Sequence, residues 1–314
     1  MADGVPVVFI AGTGRSGSTL LGNAIGSVPG AFAVGEARQI WGRGLRHDWD
    51  CGCGARFSTC SFWQEVMRTA FPEGVDIERL LASDRALLRL RASRRATGWS
   101  QDPELVPAEH RYYLDSLARL YPAMHMVSGA TVLIDSSKTP SYAALLAAAQ
   151  AVDLRVLHLV RDPRAAAYSW LSPKASPDRR GSERMDRLGA AKSATLWVVW
   201  NRAVESLLRA HPDLASVRLT YEDFMAEPRL SLRNAIDRLA PELAGADLPL
   251  MGRSIRLVTS HTVSGNADRM RQGEIGLESD ERWKQGLRAR HQLAVLAIGA
   301  LSMRRYGYGL RVHG

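Results

Sequence analysis

The stretch VPVVFIAGTGRSGSTLLG, residues 5–22, decides the fold. Its first part, residues 5–12, is a continuous apolar and β-branched run that predicts a buried strand, and residues 18–28 predict a helix. A glycine-rich turn joins the two. Such a turn exposes unpaired backbone N–H groups at a helix N-terminus, which is a ready anion-binding site. The stretch therefore predicts the start of a doubly wound α/β domain whose first loop binds an anion.

Further apolar runs along the chain predict the rest of one parallel sheet. They are AFAV (31–34), TVLID (131–135), RVLHLV (155–160) and SVRLTY (216–221). Helical patterns separate them at 76–95, 109–120, 140–151, 186–210 and 228–240, and a last amphipathic helix follows within 281–308. Strands that alternate with helices imply a parallel sheet covered on both faces. We expect a single domain over 1–314 with a P-loop-like, three-layer α/β fold, a helical and loop insertion at about 43–129 and a mobile loop at about 172–187.

Charge and composition narrow the class of partner. The chain of 314 residues carries a formal net charge of +9, and only four of its 41 basic residues are lysines. A positive field suits an anionic nucleotide, whereas no aromatic-and-basic signature of RNA binding is present, so we expect no nucleic-acid partner. The N-terminal residues lack the basic region of a signal peptide, and no apolar run is long enough to span a bilayer. We therefore expect a cytoplasmic protein without a transmembrane segment.

The glycine-rich turn fits three classes of ligand. The G-x-G-x-x-G that begins at Gly12 resembles a dinucleotide fingerprint, with Glu36 loosely placed to hold a ribose. The same glycines have Walker A spacing, and Asp135 suits a Walker B strand, but Ser18 stands where that loop needs a lysine. In the third reading Arg15 supplies the positive charge, and the backbone N–H groups from Gly14 onward hold a phosphosulfate.

Two later stretches favour the third reading. In VLHLVRDPRAAAYSW (156–170) a strand ends at Arg161, Asp162 is suited to cap the next helix, and Ser169 follows two turns later. A guanidinium and a hydroxyl in this arrangement suit a second phosphate. The segment SGNADRMRQG (264–273) is an irregular loop of glycines and arginines that suits closure over a nucleotide.

The ordered set of motifs resembles a known enzyme family. RSGST (15–19) and VRDPRAAAYS (160–169) are similar to the two cofactor-binding signatures of sulfotransferases that use 3′-phosphoadenosine 5′-phosphosulfate (PAPS). The resemblance is to the branch of carbohydrate and tyrosylprotein enzymes and their bacterial relatives, where arginine replaces the loop lysine. Further matches, in family order, are VGEAR (34–38), DSSKTP (135–140), TYEDFMAEPRLSLRNAI (220–236) and GNADR…W (265–283).

The resemblance implies a set of PAPS-binding residues. The 5′-phosphosulfate would be held by Gly14, Arg15, Ser16, Gly17, Ser18 and Thr19. The 3′-phosphate would be held by Arg161 and Ser169, and the closing loop would contribute Gly265, Asn266 and Arg269. Ala267 and Met270 depart from the proline and aromatic residue often found in that loop.

Catalytic roles follow from residue chemistry together with the resemblance. Glu36 follows the second predicted strand and is the expected general base for the acceptor hydroxyl, while Asp135 suits a structural role. Lys138 would stabilise charge on the departing phosphate together with Arg15, so we expect no metal cofactor. The acceptor class stays open between small molecules, carbohydrates, lipids and peptide tyrosine. An ATP-dependent P-loop kinase and a non-catalytic nucleotide-binding protein are the alternative functions.

All three cysteines fall within ten residues, at 51, 53 and 60. The sequence favours a structural loop with room for one disulfide. The alternative is a zinc knuckle completed by His47, because thiolates and imidazole are zinc ligands. His261 receives no role from the sequence.

Overall fold

The centre of the molecule is a parallel sheet of five strands. A computed structural model describes residues 4–88, 96–99, 102–173 and 186–313. The strands are β1 (Val5–Gly12), β2 (Ala31–Gly35), β3 (Val132–Lys138), β4 (Val152–Val160) and β5 (Ser216–Thr220). Their order across the sheet is β2-β3-β1-β4-β5, and every neighbouring pair is parallel. All five predicted strands and the α/β class are confirmed.

Helices follow most strands and fill the predicted insertion. They are α1 (Ser18–Gly26), α2 (Ser61–Ala70), α3 (Ile77–Leu87), α4 (Ala108–Ser128), α5 (Pro140–Ala148), α6 (Pro163–Leu171), α7 (Ala190–Ala210), α8 (Tyr221–Ala226), α9 (Pro228–Leu239), α10 (Trp283–Gly286) and α11 (Ala289–Arg305). The predicted C-terminal helix is divided into α10 and α11. Residues 89–95 of the predicted helix at 76–95, and 174–185 of the predicted mobile loop, lie outside the described residues.

Alternate residues of β1 enter two separate hydrophobic cores. Val7, Phe9 and Ala11 pack in one core with α4 and α5, whereas Val8 and Ile10 pack in the other with α1 and α9. This alternation reflects the two-residue period of a strand, and both faces are apolar because helices cover both. Full burial of each large apolar side chain contributes about 1.5–3 kcal/mol. The apolar run of β1 therefore stabilises a three-layer arrangement.

Strand β1 lies at the centre of the sheet, where it pairs with β3 on one side and β4 on the other. Strands β2 and β3 lie on one side of it, and the strand order then switches so that β4 and β5 lie on the other. The helix after β1 lies against one face of the sheet, and α5, which follows β3, lies against the other. Two adjacent strands whose connections leave on opposite faces open a crevice at their carboxyl ends, where α/β sheets bind ligands. The glycine-rich turn lies at this point.

A second, antiparallel sheet was not predicted. It consists of three short strands, Leu250–Met251, Ser254–Leu257 and Gly273–Gly276. Between its last two strands, Val263 forms a parallel bridge with Gly35 at the end of β2. The late segment around residue 263 thus lies beside the strand that leads to Glu36.

The cysteine loop, for which the sequence left room for one disulfide, contains none. All three cysteines of the chain are described, and all are free thiols. Their near neighbour is His261 and not His47, because the segment beside β2 brings His261 within 3.1 Å of the Cys60 sulfur.

Within residues 4–88, 96–99, 102–173 and 186–313, no helix is both long enough and apolar enough to cross a bilayer.

Candidate active site

The turn after β1 leads directly into the N-terminus of α1. Arg15 and Gly17 adopt the left-handed backbone region, with φ of 67° and 93°. At Gly17 a side chain would be strained, and its Cβ would lie 2.6 Å from the Tyr221 ring, so glycine is required here. The first turn of α1 reads Ser-Thr-Leu and has no acidic side chain. The positive end of the helix dipole is therefore available to an anion.

A cavity of about 580 Å³ opens at the carboxyl edge of the sheet. Its volume lies in the range of small-ligand sites. The structure brings most of the predicted site residues to its wall. They are Gly14, Arg15, Gly17, Ser18, Thr19, Glu36, Lys138, Arg161, Ser169, Gly265 and Asn266.

Glu36 and Lys138 form an ion pair inside this cavity. The Lys138 ammonium donates to Glu36 Oε1 at 2.7 Å and to the Ser136 carbonyl at 2.9 Å. The two side chains are 14% and 12% exposed, so the pair is largely shielded from water. Burial alone would raise the pKa of Glu36, but the cations of Lys138 and Arg43 outweigh it and hold that pKa below its ordinary value. Glu36 is therefore a carboxylate, able to accept a proton, at neutral pH.

Buried polar side chains fix the backbone on either side of this pair. The Arg38 guanidinium donates to both carboxylate oxygens of Asp84 at 2.7 Å, and the Arg38 backbone N–H donates to Ser137 Oγ at 3.0 Å. Asp135 accepts from the Ser137 N–H at 2.7 Å and from the Tyr121 hydroxyl. Burial raises the pKa of Asp135 to about 6, against these hydrogen bonds. Asp135 acts in the scaffold, as the sequence indicated.

Arg161 directly follows the end of β4, and its guanidinium lies over an aromatic ring. Its guanidinium carbon is 4.2 Å from the Tyr221 ring centroid. The guanidinium donates long hydrogen bonds to the Arg15 carbonyl, at 3.2 Å, and to the Asp280 carbonyl, at 3.5 Å. The following residues behave as predicted, because Asp162 caps α6 by accepting from the Arg164 N–H at 2.8 Å. The Arg161 guanidinium thus lies between the Tyr221 ring and the cavity, at the cavity wall.

Two predicted site residues, Ser16 and Arg269, do not line the cavity, and two hydrogen bonds of the Arg269 guanidinium lead away from it. This guanidinium donates to the Thr262 carbonyl at 2.8 Å and to the Asp50 carbonyl at 2.5 Å, and it is absent from the cavity wall. Asn266 in the same loop does lie at the wall, where its N–H donates to Thr19 Oγ1 at 3.2 Å. Arg269 therefore fastens the closing loop to the cysteine loop.

Several wall residues were not predicted. Trp170 lies under Arg15, whose guanidinium carbon is 4.7 Å from its ring centroid, and Arg43 reaches the cavity from beside β2. Trp200 of α7 also lines the cavity, whereas Trp197 of the same helix is buried in a hydrophobic core. Trp170 directly follows Ser169, so its place next to a motif residue was the one available signal.

The arrangement is typical of an enzyme that transfers a group from an anionic donor. A base and a cation form one pair, and a glycine-rich turn with stacked arginines lies around the same cavity. Residues 6–244 match a model of the sulfotransferase family, and the chain belongs to this family. The predicted family is confirmed.

Two solved structures resemble the whole chain. The sulfotransferase domain from the Synechococcus PCC 7002 olefin synthase is 20% identical, with a TM-score of 0.51, and the match covers 99% of this chain and 98% of that one. The sulfotransferase domain from the curacin biosynthetic pathway is 16% identical, with a TM-score of 0.48, and the match covers 98% and 99%. The first similarity shows that the two chains share a fold. Comparison with curated protein sequences gives no significant match.

Proposed function

We propose that the protein transfers the sulfuryl group of PAPS to a hydroxyl of a small-molecule, carbohydrate or lipid acceptor. The observation that carries the proposal is the Glu36–Lys138 ion pair, 2.7 Å long, in the cavity formed by the glycine-rich turn. Family membership supports sulfuryl transfer in general. A protein that only binds a nucleotide needs neither a buried base nor a cation beside it.

The turn and the N-terminus of α1 fit a phosphosulfate. Ser16 Oγ is buried and has no hydrogen-bond partner in the described part of the chain. A buried hydroxyl without a partner is destabilising, and a ligand oxygen would satisfy it. The N–H groups of Gly17 to Thr19 and the guanidinium of Arg15 supply further donors to the same anion.

A second anionic position fits the 3′-phosphate of PAPS. Arg161 and Ser169 both line the cavity, and the Arg161 guanidinium carbon lies 4.2 Å from the Tyr221 ring centroid. A stacked guanidinium presents its N–H groups in a fixed fork, which matches phosphate oxygens. ATP has no phosphate at this position, so Arg161 supports PAPS as the donor.

Three residues carry the chemistry. Glu36 takes the proton of the acceptor hydroxyl as that oxygen forms its bond to sulfur. Lys138 and Arg15 stabilise the negative charge left on the phosphate oxygen when its bond to sulfur breaks. Preorganised charges of this kind act strongly in a site shielded from water.

Two observations weigh against a P-loop kinase. Ser18 occupies the lysine position of that loop and has no charge. Asp135, the candidate magnesium ligand, is fully buried and accepts hydrogen bonds from Tyr121 and Ser137. A kinase would need both positions for terminal phosphates and metal.

The test is transfer of label from radiosulfate-labelled PAPS to acceptors in a host-cell extract, without added magnesium. We expect a labelled product with the wild type and a decrease of about 10²–10⁴-fold with Glu36→Gln, because a general base is lost. Binding of 3′-phosphoadenosine 5′-phosphate (PAP) should survive this substitution. Glu65→Gln, at an exposed site on α2, is the matched control.

Near wild-type turnover by Glu36→Gln would show that another group is the base. Absence of both label and PAP binding would reject the PAPS assignment. Magnesium-dependent labelling from ATP instead would favour the kinase.

A further inference from the structure

Four side chains that are able to bind a metal ion meet near the segment that runs beside β2. Cys51, Cys53, Cys60 and His261 each direct one ligand atom to a common point, and these atoms all lie within 4.8 Å of one another. Cys51 and Cys53 lie on one tight loop, and Cys60 directly precedes α2. His261 lies 201 residues after Cys60 in the sequence. The cluster lies outside the cavity wall described above.

Four of the six separations between the ligand atoms are close to those of a tetrahedral centre, and all six are within 4.8 Å. With Zn–S and Zn–N bonds of about 2.3 and 2.0–2.1 Å, tetrahedral angles separate two sulfurs by about 3.8 Å and a sulfur from a nitrogen by about 3.5 Å. Cys60 Sγ lies 3.7 Å from Cys51 Sγ and 3.8 Å from Cys53 Sγ. His261 Nδ1 lies 3.7 Å from the Cys51 sulfur and 3.1 Å from the Cys60 sulfur.

We propose that Cys51, Cys53, Cys60 and His261 bind one structural zinc ion. Three thiolates and an imidazole nitrogen are a standard ligand set for zinc. Because four protein ligands complete the tetrahedron, no position is left for water or substrate, and the ion has a structural role. The sequence offered His47 as the fourth ligand of a zinc knuckle, and this assignment puts His261 in its place. It also replaces the expectation that the protein holds no metal.

The surroundings hold the ligands in this arrangement. The His261 ring stacks on Phe62, with centroids 4.9 Å apart, and its backbone carbonyl accepts from Trp63 Nε1 at 2.9 Å. The Gly52 N–H donates to the Thr262 carbonyl at 3.0 Å. A Cβ at Gly52 would lie 2.6 Å from the Ser260 carbonyl oxygen, so glycine permits the two segments to meet. Ring orientation and backbone contact both direct the imidazole nitrogen to the thiols.

The ion would fasten the insertion to the strand edge that leads to the active site. Beside His261, Val263 accepts from the Glu36 N–H at 2.8 Å and donates to the Val34 carbonyl at 3.0 Å. Two residues further, the chain enters the loop in which Asn266 contacts Thr19. Zinc binding would therefore help to position both Glu36 and the loop that contains Asn266. The roles of these residues in catalysis and nucleotide binding rest on the proposed function.

The first measurement is the zinc content of protein purified under reducing conditions from zinc-supplemented cells. We expect about one zinc per chain, and Cys53→Ser and His261→Asn should each lower the content at least several-fold. His47→Asn, which changes the exposed histidine nearest in sequence, is the matched control and should keep the metal. Less than about a tenth of a zinc per chain, or unchanged zinc in both variants, would overturn the proposal.

A second measurement needs no substitution. Titration of the wild type with a mercurial reagent should release zinc in proportion to the thiols that are blocked, and cobalt substitution should give thiolate-to-cobalt charge-transfer absorption. Cysteines that react equally with and without zinc would contradict the assignment.

Nucleotide binding separates this proposal from the proposed function. Removal of zinc should weaken PAP binding about tenfold, roughly the entropic cost of ordering one backbone residue. An unchanged dissociation constant would overturn the link to the nucleotide loop. Stoichiometric zinc in a protein that does not bind PAP would reject the PAPS assignment and leave the zinc site intact. Sulfuryl transfer by a protein that never contains zinc would reject the zinc site and leave the proposed function intact.

Discussion

Replacement of Arg161 by methionine tests whether the cavity recognises a 3′-phosphate. The side chain is 8% exposed, so a phosphate bound to it is shielded from water. Its carboxylate neighbour, Asp280, is 3.5 Å away and also pairs with Arg282 at 2.7 Å, so the substitution does not leave that carboxylate unpaired. The effect on binding should therefore come mainly from the missing guanidinium.

The expected magnitude follows from the contacts that are lost. Hydrogen bonds to charged groups contribute about 1.5–3 kcal/mol each, and the upper value corresponds to about 150-fold in Kd. PAP, with its 3′-phosphate, should lose about this factor. AMP, which has only the 5′-phosphate, should change by less than about threefold because it makes no contact with Arg161.

Isothermal titration calorimetry of wild type and variant with both nucleotides gives the four constants required. The ratio of the dissociation constant for AMP to that for PAP should fall about 150-fold in Arg161→Met, because only PAP binding is weakened. Arg68→Met, which removes an exposed arginine far from the cavity, controls for net charge and should leave the ratio unchanged. Equal weakening of both nucleotides would refute the assignment of Arg161 to the 3′-phosphate, and unchanged constants would remove Arg161 from the nucleotide site.

Two further substitutions test the base and the turn. Lys138→Met removes the main cation that lowers the pKa of Glu36, so the pKa should rise because burial then dominates, and the acid limb of kcat/KM should move to higher pH. A pH–rate profile of both proteins measures this shift, and identical acid limbs would show that Glu36 does not titrate in the reaction. Gly17→Ala forces a Cβ to 2.6 Å from the Tyr221 ring at a φ of 93°, and should destabilise the protein by about 1–3 kcal/mol and weaken PAP binding. Chemical denaturation and calorimetry provide the two readouts; wild-type stability and affinity together would show that the turn tolerates a side chain.

The strands and the first turn were predictable because their signals are local. Continuous apolar runs such as residues 5–12 indicate strands buried on both faces, and glycines at fixed spacing indicate the anion-binding turn. The capping of α6 by Asp162 was predictable for the same reason, since the donor is the N–H of Arg164, only two residues away. Local rules thus located the carboxyl edge at which the candidate site lies.

What the sequence did not predict depends on contacts between distant residues. Sequence distance alone favours Glu36 as the partner of Arg38, yet the Arg38 guanidinium pairs with Asp84 from α3. His261 joins the cysteines only because Val263 bridges to β2 and carries its neighbours with it. The strands of the small antiparallel sheet are two to four residues long, too short for a periodic signal.

The ion pair between Glu36 and Lys138 couples the two halves of the proposed reaction. In the resting site, each charge is neutralised by the other at 2.7 Å in a largely buried environment. When Glu36 takes the proton from the hydroxyl of the acceptor, it loses its negative charge. Its attraction for Lys138 then falls sharply, because the site is shielded from water. At that stage negative charge grows on the phosphate side of the breaking bond. In the proposed reaction Lys138 would then become available to that charge, and one buried pair would serve both the attacking and the departing oxygen.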